Sequence, residues 1–495
     1  MSTKHNGVRI VVIGAGMAGI LAGIKLREAG LTNFRIYEKG EKIGGTWREN
    51  TYPGLTCDVP SHAYTYSFEP NPDWSRYFPP GPEIQAYFER VVAKYGIDAH
   101  IAFGEEVTRC AFEDGRWQLE TKRGTRDAAD IVIAATGVLH HPSYPQIAGM
   151  ESFAGPSFHS ARWDHAVPLD GRRIGIIGNG STGVQIVSAL AARAGRLKHF
   201  QRTAQWIMPT PNNPFSDAER DALRADPVLL KSVQNDPTYL ELAWGWTEAI
   251  IDAGSETMMQ TEAVARENLE ASVKDPVLRE KLRPDYRAGC KRLIHAPGYY
   301  RAIQHPNAEL VTDGIVGIEP QGIRTRDGVL HELDLIVYAT GFNAHQFMRP
   351  MNVVGRGGVE LNQVWAKRPA AYMAISIPDF PNLFMLNGPS GPVGNFSLID
   401  VAERQWAYIS HFITLIASGR VREISATHGA LDDYEKERIA AARNTIWGSG
   451  CRSWYLDAEG VPSAWPWSYR RFAAEMAVPR IGAYDLVGPA IAQQH

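Results

Sequence analysis

Val8-Arg9-Ile10-Val11-Val12-Ile13-Gly14-Ala15-Gly16-Met17-Ala18-Gly19 decides the fold of this chain. Val8 to Ile13 is a short apolar run rich in β-branched residues, which reads as a buried parallel strand. A glycine loop follows at once and opens into an apolar-periodic helix through Leu26. A second strand, Phe34 to Tyr37, ends at Glu38. Strand, glycine loop, helix and terminal acid together give the context of a dinucleotide-binding unit. Gly14 makes the tight turn, Gly16 lets the backbone approach a pyrophosphate, and Gly19 lets helix and strand pack closely. The helix N-terminus then faces the phosphates. Glu38 can accept hydrogen bonds from a ribose 2′-hydroxyl and repels a 2′-phosphate, so this site is expected to take FAD or NAD and not NADP.

The same layout returns from Arg173. Ile174 to Ile177 reads as a strand, Gly178-Asn179-Gly180-Ser181-Thr182-Gly183 as a second glycine loop, and a helix runs to about Ala194. The strand Leu197 to Phe200 ends at Gln201-Arg202-Thr203. Gly14 to Glu38 and Gly178 to Arg202 share an offset of 24 residues, so a base stands in the second unit where the first has an acid. Arg202 offers a guanidinium fork where a 2′-phosphate would sit, and NADPH is the expected occupant. Asp130 to Gly137 and Asp334 to Gly341 repeat one another as well, each a buried strand closed by Ala-Thr-Gly. Between about Pro214 and Cys290 the pattern turns helical. Ser216 with Glu219 fits a capping box, and Asp226-Pro227, Asp236-Pro237 and Asp275-Pro276 each read as an N-cap followed by Pro. Tyr239, Trp244, Trp246, Met258 and Met259 are expected in the core of this insertion.

The bulk numbers agree with a multidomain enzyme. The 495 residues are too many for one ordinary core. Charged residues are 21% and hydrophobic ones 44%, the balance of a soluble globular protein. A net charge of −3 gives no sign of a nucleic-acid or anionic-membrane partner. The four cysteines, Cys57, Cys110, Cys290 and Cys451, lie far apart in sequence with no CxxC pair, which suits a reducing compartment and argues against a metal site. The N-terminus shows no signal peptide and no run reaches the length of a membrane span. A cytoplasmic location is the expectation.

Two longer patterns narrow the function. Between the glycine loops lies Phe153-Ala-Gly155-Pro-Ser-Phe-His159-Ser-Ala-Arg-Trp163-Asp164. After the second strand comes Gly44-Gly45-Thr46-Trp47, followed by Tyr52-Pro53-Gly54 and Asp58. The first resembles the linker fingerprint of Baeyer–Villiger monooxygenases, with every fixed position present. The second resembles another signature of the same family, also complete. Related flavin monooxygenases that oxidise nitrogen or sulfur usually carry Tyr or Phe where Trp163 stands.

The resemblance implies an α/β fold of two Rossmann-like dinucleotide-binding domains, for FAD and NADP, with a helical insertion in the NADP domain. It divides the chain into a first FAD-domain part at 1–148, linker and first NADP-domain part at 149–212, and insertion at 213–295. The second NADP-domain part is then 296–345, and the rest of the FAD domain with the C-terminal region is 346–495. FAD would be held by Gly14, Gly16, Met17, Ala18, Gly19, Glu38, Lys39, Gly45, Thr46, Trp47, Asp58, Val107, Ala135, Thr136 and Gly137. NADPH would be held by Gly178, Gly180, Ser181, Thr182, Gly183, Arg202, Thr203, Lys291, Ala339, Thr340 and Gly341.

The implied reaction inserts one oxygen atom of O2 beside a ketone carbonyl through a C4a-peroxyflavin, giving an ester or lactone. Arg292 would stabilise the developing negative charge and Asp58 would hold Arg292. His159 and Trp163 would fix domain geometry. A helix from about Ser397 would offer its N-terminus to the reduced flavin, and part of the segment from Trp447 to Trp467 would lie near the substrate. The alternatives are an oxygenase acting on nitrogen or sulfur and an NADPH-dependent flavin reductase serving a partner. Trp163-Asp164 and Lys291-Arg292 speak against the former, and the missing CxxC against a disulfide-reducing version of the latter.

Overall fold

The structure, a computed structural model, describes residues 7–392, 394 and 397–488. Ile10–Ile13 is the middle strand of a five-stranded parallel sheet with the order Leu383–Met385, Ile131–Ala134, Ile10–Ile13, Phe34–Glu38, Ile101–Phe103. Its Ile10, Val11 and Val12 are wholly buried, because both faces of the sheet are covered. Ile13 pairs with Tyr37 on one side and Ala134 on the other. That register brings Gly14, Glu38 and Ala135 to one rim, at the carboxyl ends of the strands, where open α/β sheets bind ligands.

A second five-stranded parallel sheet has the order Ala308–Val311, Arg196–Phe200, Arg173–Ile177, Leu335–Tyr338, Ser157–His159. Tyr338 pairs with both Ile177 and His159, so Gly178, the 339–341 turn and His159 share a rim. The linker is thus more than a connector: three of its residues form an edge strand of the second sheet. Its sequence hides this, since a three-residue strand is too short to show period-two alternation. Each parallel sheet is accompanied by an antiparallel one: Asn352–Val354, lying parallel beside Val107–Glu113, with Arg116–Thr121 and Arg126–Ala129 in the first unit, and Ile315–Glu319, Gly322–Thr325 and Leu330–Glu332 in the second.

The insertion contains the helices Asp217–Ala225, Pro227–Gln234, Pro237–Ile251, Glu256–Ser272 and Pro276–Lys281. Ser216 and Glu219 make a full capping box, and the Asp226, Asp236 and Asp275 carboxylates accept from first-turn N–H groups. Its two ends pair with one another, Ile207–Met208 parallel to Ile294–His295. Trp246 and Met258 are buried in a core shared with Trp447 and Tyr455 of the C-terminal segment, while Tyr239 and Trp244 pack on the core of the first unit. Met259 departs from expectation and is 56% exposed, because the residue beside Met258 on a helix points about 100° away from it.

Two of the cysteines are paired, which their spacing in the sequence did not show. Cys290 and Cys451, 161 residues apart in sequence, lie with Cα atoms 5.5 Å apart and are joined by a disulfide. Spacing along the chain gave no sign of it, since the fold returns the C-terminal segment to the end of the insertion. Cys57 and Cys110 are buried free thiols. Among the described residues no helix is long and apolar enough to cross a membrane, and no cluster of His, Cys, Asp and Glu could hold a metal ion.

Candidate active site

The first glycine loop is shaped for a close-lying ligand. Gly14 has φ +104°, and a Cβ there would stand 2.6 Å from the Ala135 carbonyl oxygen. A Cβ at Gly19 would stand 1.8 Å from the Gly14 carbonyl oxygen, so helix and loop meet at backbone distance. Gly16 has only the facing loop near it, its Cβ position being 3.6 Å from the Gly45 Cα. The helix Met17–Glu28 starts without a side-chain cap and without an acid in its first turn. Its first N–H groups therefore remain available to an anion. The residues present fit a dinucleotide.

Glu38 is buried at that rim. Its carboxylate accepts from the N–H of Ala15 at 2.8 Å and of Gly40 at 2.7 Å, and pairs with Arg48 at 2.8 Å. Oε1 takes two of these bonds and Oε2 one, so Oε2 has lone-pair capacity left for a ribose hydroxyl. Gly45, Thr46 and Trp47 face this loop, and the Trp47 indole donates to the Tyr64 hydroxyl at 3.1 Å. Ala135, Thr136 and Gly137 continue the neighbouring strand, with Gly137 at φ +67°. Lys39 is exposed against His140, and Val107 is buried at the start of its strand.

The second loop repeats the design. Gly178 has φ +105°, its Cβ position is 2.3 Å from the Ala339 carbonyl oxygen, and that of Gly183 is 2.0 Å from the Gly178 carbonyl oxygen. Nothing lies within 4 Å of a Cβ at Gly180. The helix Ser181–Leu190, which carries Thr182, is again uncapped and free of acids in its first turn. The Thr340 hydroxyl donates to the Ser143 carbonyl at 2.5 Å, and Gly341 has φ +82°. Arg202 is exposed beside the loop, and the Thr203 carbonyl accepts from Asn179 at 2.7 Å. Lys291 stacks over the Tyr286 ring at 4.6 Å. Burial and then repulsion from Arg202 hold the Lys291 ammonium below its usual range. Two cations that repel one another across an open site make a fit for a phosphate.

Arg292 follows Lys291 and is held by residues from two other parts of the chain. Its guanidinium forks onto Asp58, with Nε to Oδ2 at 2.5 Å and Nη2 to Oδ1 at 2.7 Å, and Nη1 donates to the Gly394 carbonyl at 2.5 Å. Burial works against both charges, but their mutual attraction outweighs it: Arg292 is raised above and Asp58 lowered below its usual range. The pair therefore favours its ionised form. Burial raises the Tyr455 phenol and lowers the His295 imidazole, and each feels both charges of the pair.

The two sequence signatures bind the units together. The Tyr52 hydroxyl donates to Gln185 at 2.9 Å on the second glycine helix, and a Cβ at Gly54 would stand 2.7 Å from the Gln185 carbonyl oxygen. Gln185 reaches back to Thr56 at 3.1 Å. The run from Tyr52 to Asp58 thus crosses from one unit to the other, and its spacing reflects that span. In the linker, His159 is wholly buried. Its Nδ1 accepts from the Ala161 N–H at 3.1 Å, which leaves the proton on Nε2 to donate to the Gly341 carbonyl at 3.0 Å. Burial pushes this imidazole down to about 4, so it is neutral. Trp163 is buried against Phe158, Phe153 packs on the second unit's core, and Gly155 passes where a Cβ would meet the Asp334 carbonyl oxygen at 2.6 Å. Asp164 is exposed and receives the Ala166 N–H at 2.9 Å.

The structure pairs Arg292 with Asp58, brings Lys291 within reach of Arg202, and leaves His159 and Trp163 in structural positions. Sequence reading did not identify Gly394 and His295; it placed part of the segment that holds Tyr455 near the substrate but gave that residue no role. Backbone carbonyls carry no residue signature, and a tyrosine in an irregular tail has no periodicity to mark it. The helix Leu398–Ala417 starts after Ser397 without a side-chain cap.

A family model for pyridine nucleotide-disulphide oxidoreductases matches residues 11–217. An uncharacterized monooxygenase of Mycobacterium tuberculosis is 47% identical over 96% of this chain and 96% of its own length. A Baeyer–Villiger monooxygenase of Streptomyces coelicolor is 38% identical over 99% of this chain and 94% of its own. The crystal structure of a cyclohexanone monooxygenase from Rhodococcus sp. Phi1, bound to NADP+, superposes with a TM-score of 0.86 at 29% identity, covering 97% of this chain and 99% of that one. With likeness of this degree over nearly all its length, the chain belongs to the Baeyer–Villiger monooxygenases, which are class B flavin monooxygenases.

Proposed function

We propose that this monooxygenase uses FAD in the first unit and NADPH in the second to insert one oxygen atom of O2 beside a ketone carbonyl, giving an ester or lactone. The observation that supports this most is Arg292, a half-buried guanidinium fixed by Asp58 and the Gly394 carbonyl, with Asp58 on the run from Tyr52 that crosses to the second glycine helix. When bound, FAD supplies the redox chemistry that draws electrons from NADPH and activates O2.

The chain's own residues position and stabilise. The helix starts at Gly16 and Gly180 hold the two pyrophosphates. Glu38 takes a ribose hydroxyl of FAD, and Arg202 with Lys291 takes the 2′-phosphate of NADPH. Arg292 places positive charge where oxygen becomes negative at the carbonyl, and Asp58 keeps it there without reorganisation. His159 and Trp163 tie the linker to the second sheet and fix the distance between the units. The domain division read from the sequence is proposed in the same terms, with 213–295 as the insertion.

Oxygen consumption and product mass, measured with NADPH over ketones of graded size, test this reading. Ester or lactone formed in proportion to NADPH supports it. Oxidation of amines or sulfides alone, with every ketone inert, overturns it in favour of heteroatom oxygenation.

The cofactor preference gives a separate expectation. One hydrogen bond to a charged group is worth about 1.5–3 kcal/mol. Arg202→Ala is therefore expected to raise KM for NADPH by about ten- to a hundred-fold and leave NADH nearly unchanged. Equal kcat/KM for the two nucleotides in the native enzyme is the result that refutes the assignment.

A further inference from the structure

The segment that carries Arg292 has no helix or strand of its own. From the end of the helix at Lys281 to the strand at Ile294 the backbone is irregular, and Gly289 turns it at φ +83°. The C-terminal segment from Ser449 to Ser468 is equally irregular apart from a single bridge between Leu456 and Pro462. Two such segments do not hold an active-site cation by themselves. Residues Trp447 to Tyr455 fasten the Arg292 segment to the C-terminal part of the chain. The disulfide joins Cys290, two residues before Arg292, to Cys451. The Trp447 indole donates to the Gly289 carbonyl at 3.1 Å. Tyr455 packs on Trp447 at 5.3 Å between ring centroids and lies beside Arg292 and Asp58. Both cysteines are buried, at 3% and 7% exposure, and the bond links the end of the insertion to the tail of the chain.

We propose that Cys290 and Cys451 are positioning residues that act as a redox-sensitive clamp: oxidised, they hold the Arg292 turn against the tail; reduced, they release it. The inference rests on the reading of Arg292 given above. A disulfide in a reducing compartment is more often a switch than a staple, and here it stands one residue from a cation pair. The chemistry balances with hydrogen peroxide as oxidant, the substance a flavin oxygenase releases when NADPH is consumed without product. One thiolate attacks the peroxide to give a sulfenic acid and water, and the second thiol displaces another water to close the S–S bond. Two thiols and one hydrogen peroxide thus give one disulfide and two waters. A dithiol reverses the bond by exchange and is itself oxidised. Wasteful turnover would then tighten the clamp that limits it.

The test compares the native holoenzyme, the same protein after dithiothreitol, Cys290→Ser, Cys451→Ser and the double variant. Alkylation of the denatured native protein without reductant is expected to label Cys57 and Cys110 only, and after reduction all four cysteines. Ester formed per NADPH is expected to fall about three- to ten-fold on reduction or in either variant, since a displacement near 1 Å at a reacting centre costs up to about a hundred-fold. Flavin reduction by NADPH is expected to stay within about two-fold. The double variant should be no worse than a single one, dithiothreitol should not affect the variants, and peroxide should restore only the reduced native enzyme.

A substrate-free measurement separates this inference from the proposed function. Limited proteolysis of residues 449–468 in the holoenzyme should accelerate on reduction and in each variant. If no ketone is oxidised, the oxygenation reading fails while thiol labelling and proteolysis still judge the clamp. Four free thiols after aerobic isolation and peroxide treatment overturn it, as do coupling and proteolysis rates that do not change between the oxidised and reduced forms. If the Ser variants do not fold, the reduced native protein decides; a bond that resists dithiothreitol in the folded holoenzyme overturns the switch and leaves a permanent staple.

Discussion

Arg292→Ala is expected to keep its flavin, accept electrons from NADPH and make almost no ester. The guanidinium is fixed on three sides by the two Asp58 oxygens and the Gly394 carbonyl, so it meets new negative charge without moving. Removing one such preorganised donor costs about a hundred- to a thousand-fold in rate. Electrons that no longer reach the ketone should leave as hydrogen peroxide, so NADPH consumption continues while the yield of ester per NADPH collapses. Asp58→Ala should show a weaker form of the same uncoupling, because the arginine stays charged but loses its orientation. The measurement is ester and peroxide per NADPH in both variants beside the native enzyme. Native coupling in Arg292→Ala would remove the arginine from the oxygenation site and leave it an ion pair of the fold.

The second large effect concerns the first glycine loop. Gly19→Val is expected to purify without flavin. Its Cβ would stand 1.8 Å from the Gly14 carbonyl oxygen and its neighbours there are backbone atoms, so no flexible side chain can yield. Gly14 cannot move aside, since its φ of +104° already commits it to the turn that opens the phosphate site. Gly183→Val delivers an insult of the same size to the second loop, 2.0 Å from the Gly178 carbonyl oxygen. It should keep FAD and lose NADPH affinity. Flavin stoichiometry after denaturation, with circular dichroism to confirm folding, separates the two. A flavin-replete Gly19→Val or a flavin-free Gly183→Val would contradict the assignment of the loops.

What the sequence made legible was whatever repeats locally. The caps at Ser216, Asp226, Asp236 and Asp275 rest on contacts within a few residues, and the two strand-loop-helix units with Glu38 against Arg202 rest on one repeated offset, both of which chain spacing reports. Arg292 and Asp58 were reached through a likeness to a family, because 234 residues separate them and nothing local joins them. The edge strand at Ser157–His159 escaped notice for being short. The Cys290–Cys451 bond, the Gly394 carbonyl and the place of Tyr455 beside Arg292 escaped for a different reason: each belongs to an irregular segment whose place is set by tertiary packing alone. Met259 shows the limit of composition, since its neighbour Met258 is buried and it is not.

The insertion leaves the second unit at Ile207–Met208 and rejoins it at Ile294–His295, two short strands paired side by side. A segment whose ends are zipped together in this way behaves as a cassette. Its length and content can drift without altering the distance between the elements it interrupts, because loop closure is already settled by the pairing. Change in residues 209–289 can therefore reshape what is admitted to the reaction while the nucleotide-binding frame stays as it is. Lys291 and Arg292 lie just inside that seam, before Ile294, so an exchange of the segment has to keep both if the charge at the reacting centre is to stay. Grafting between relatives should be cut at these strands.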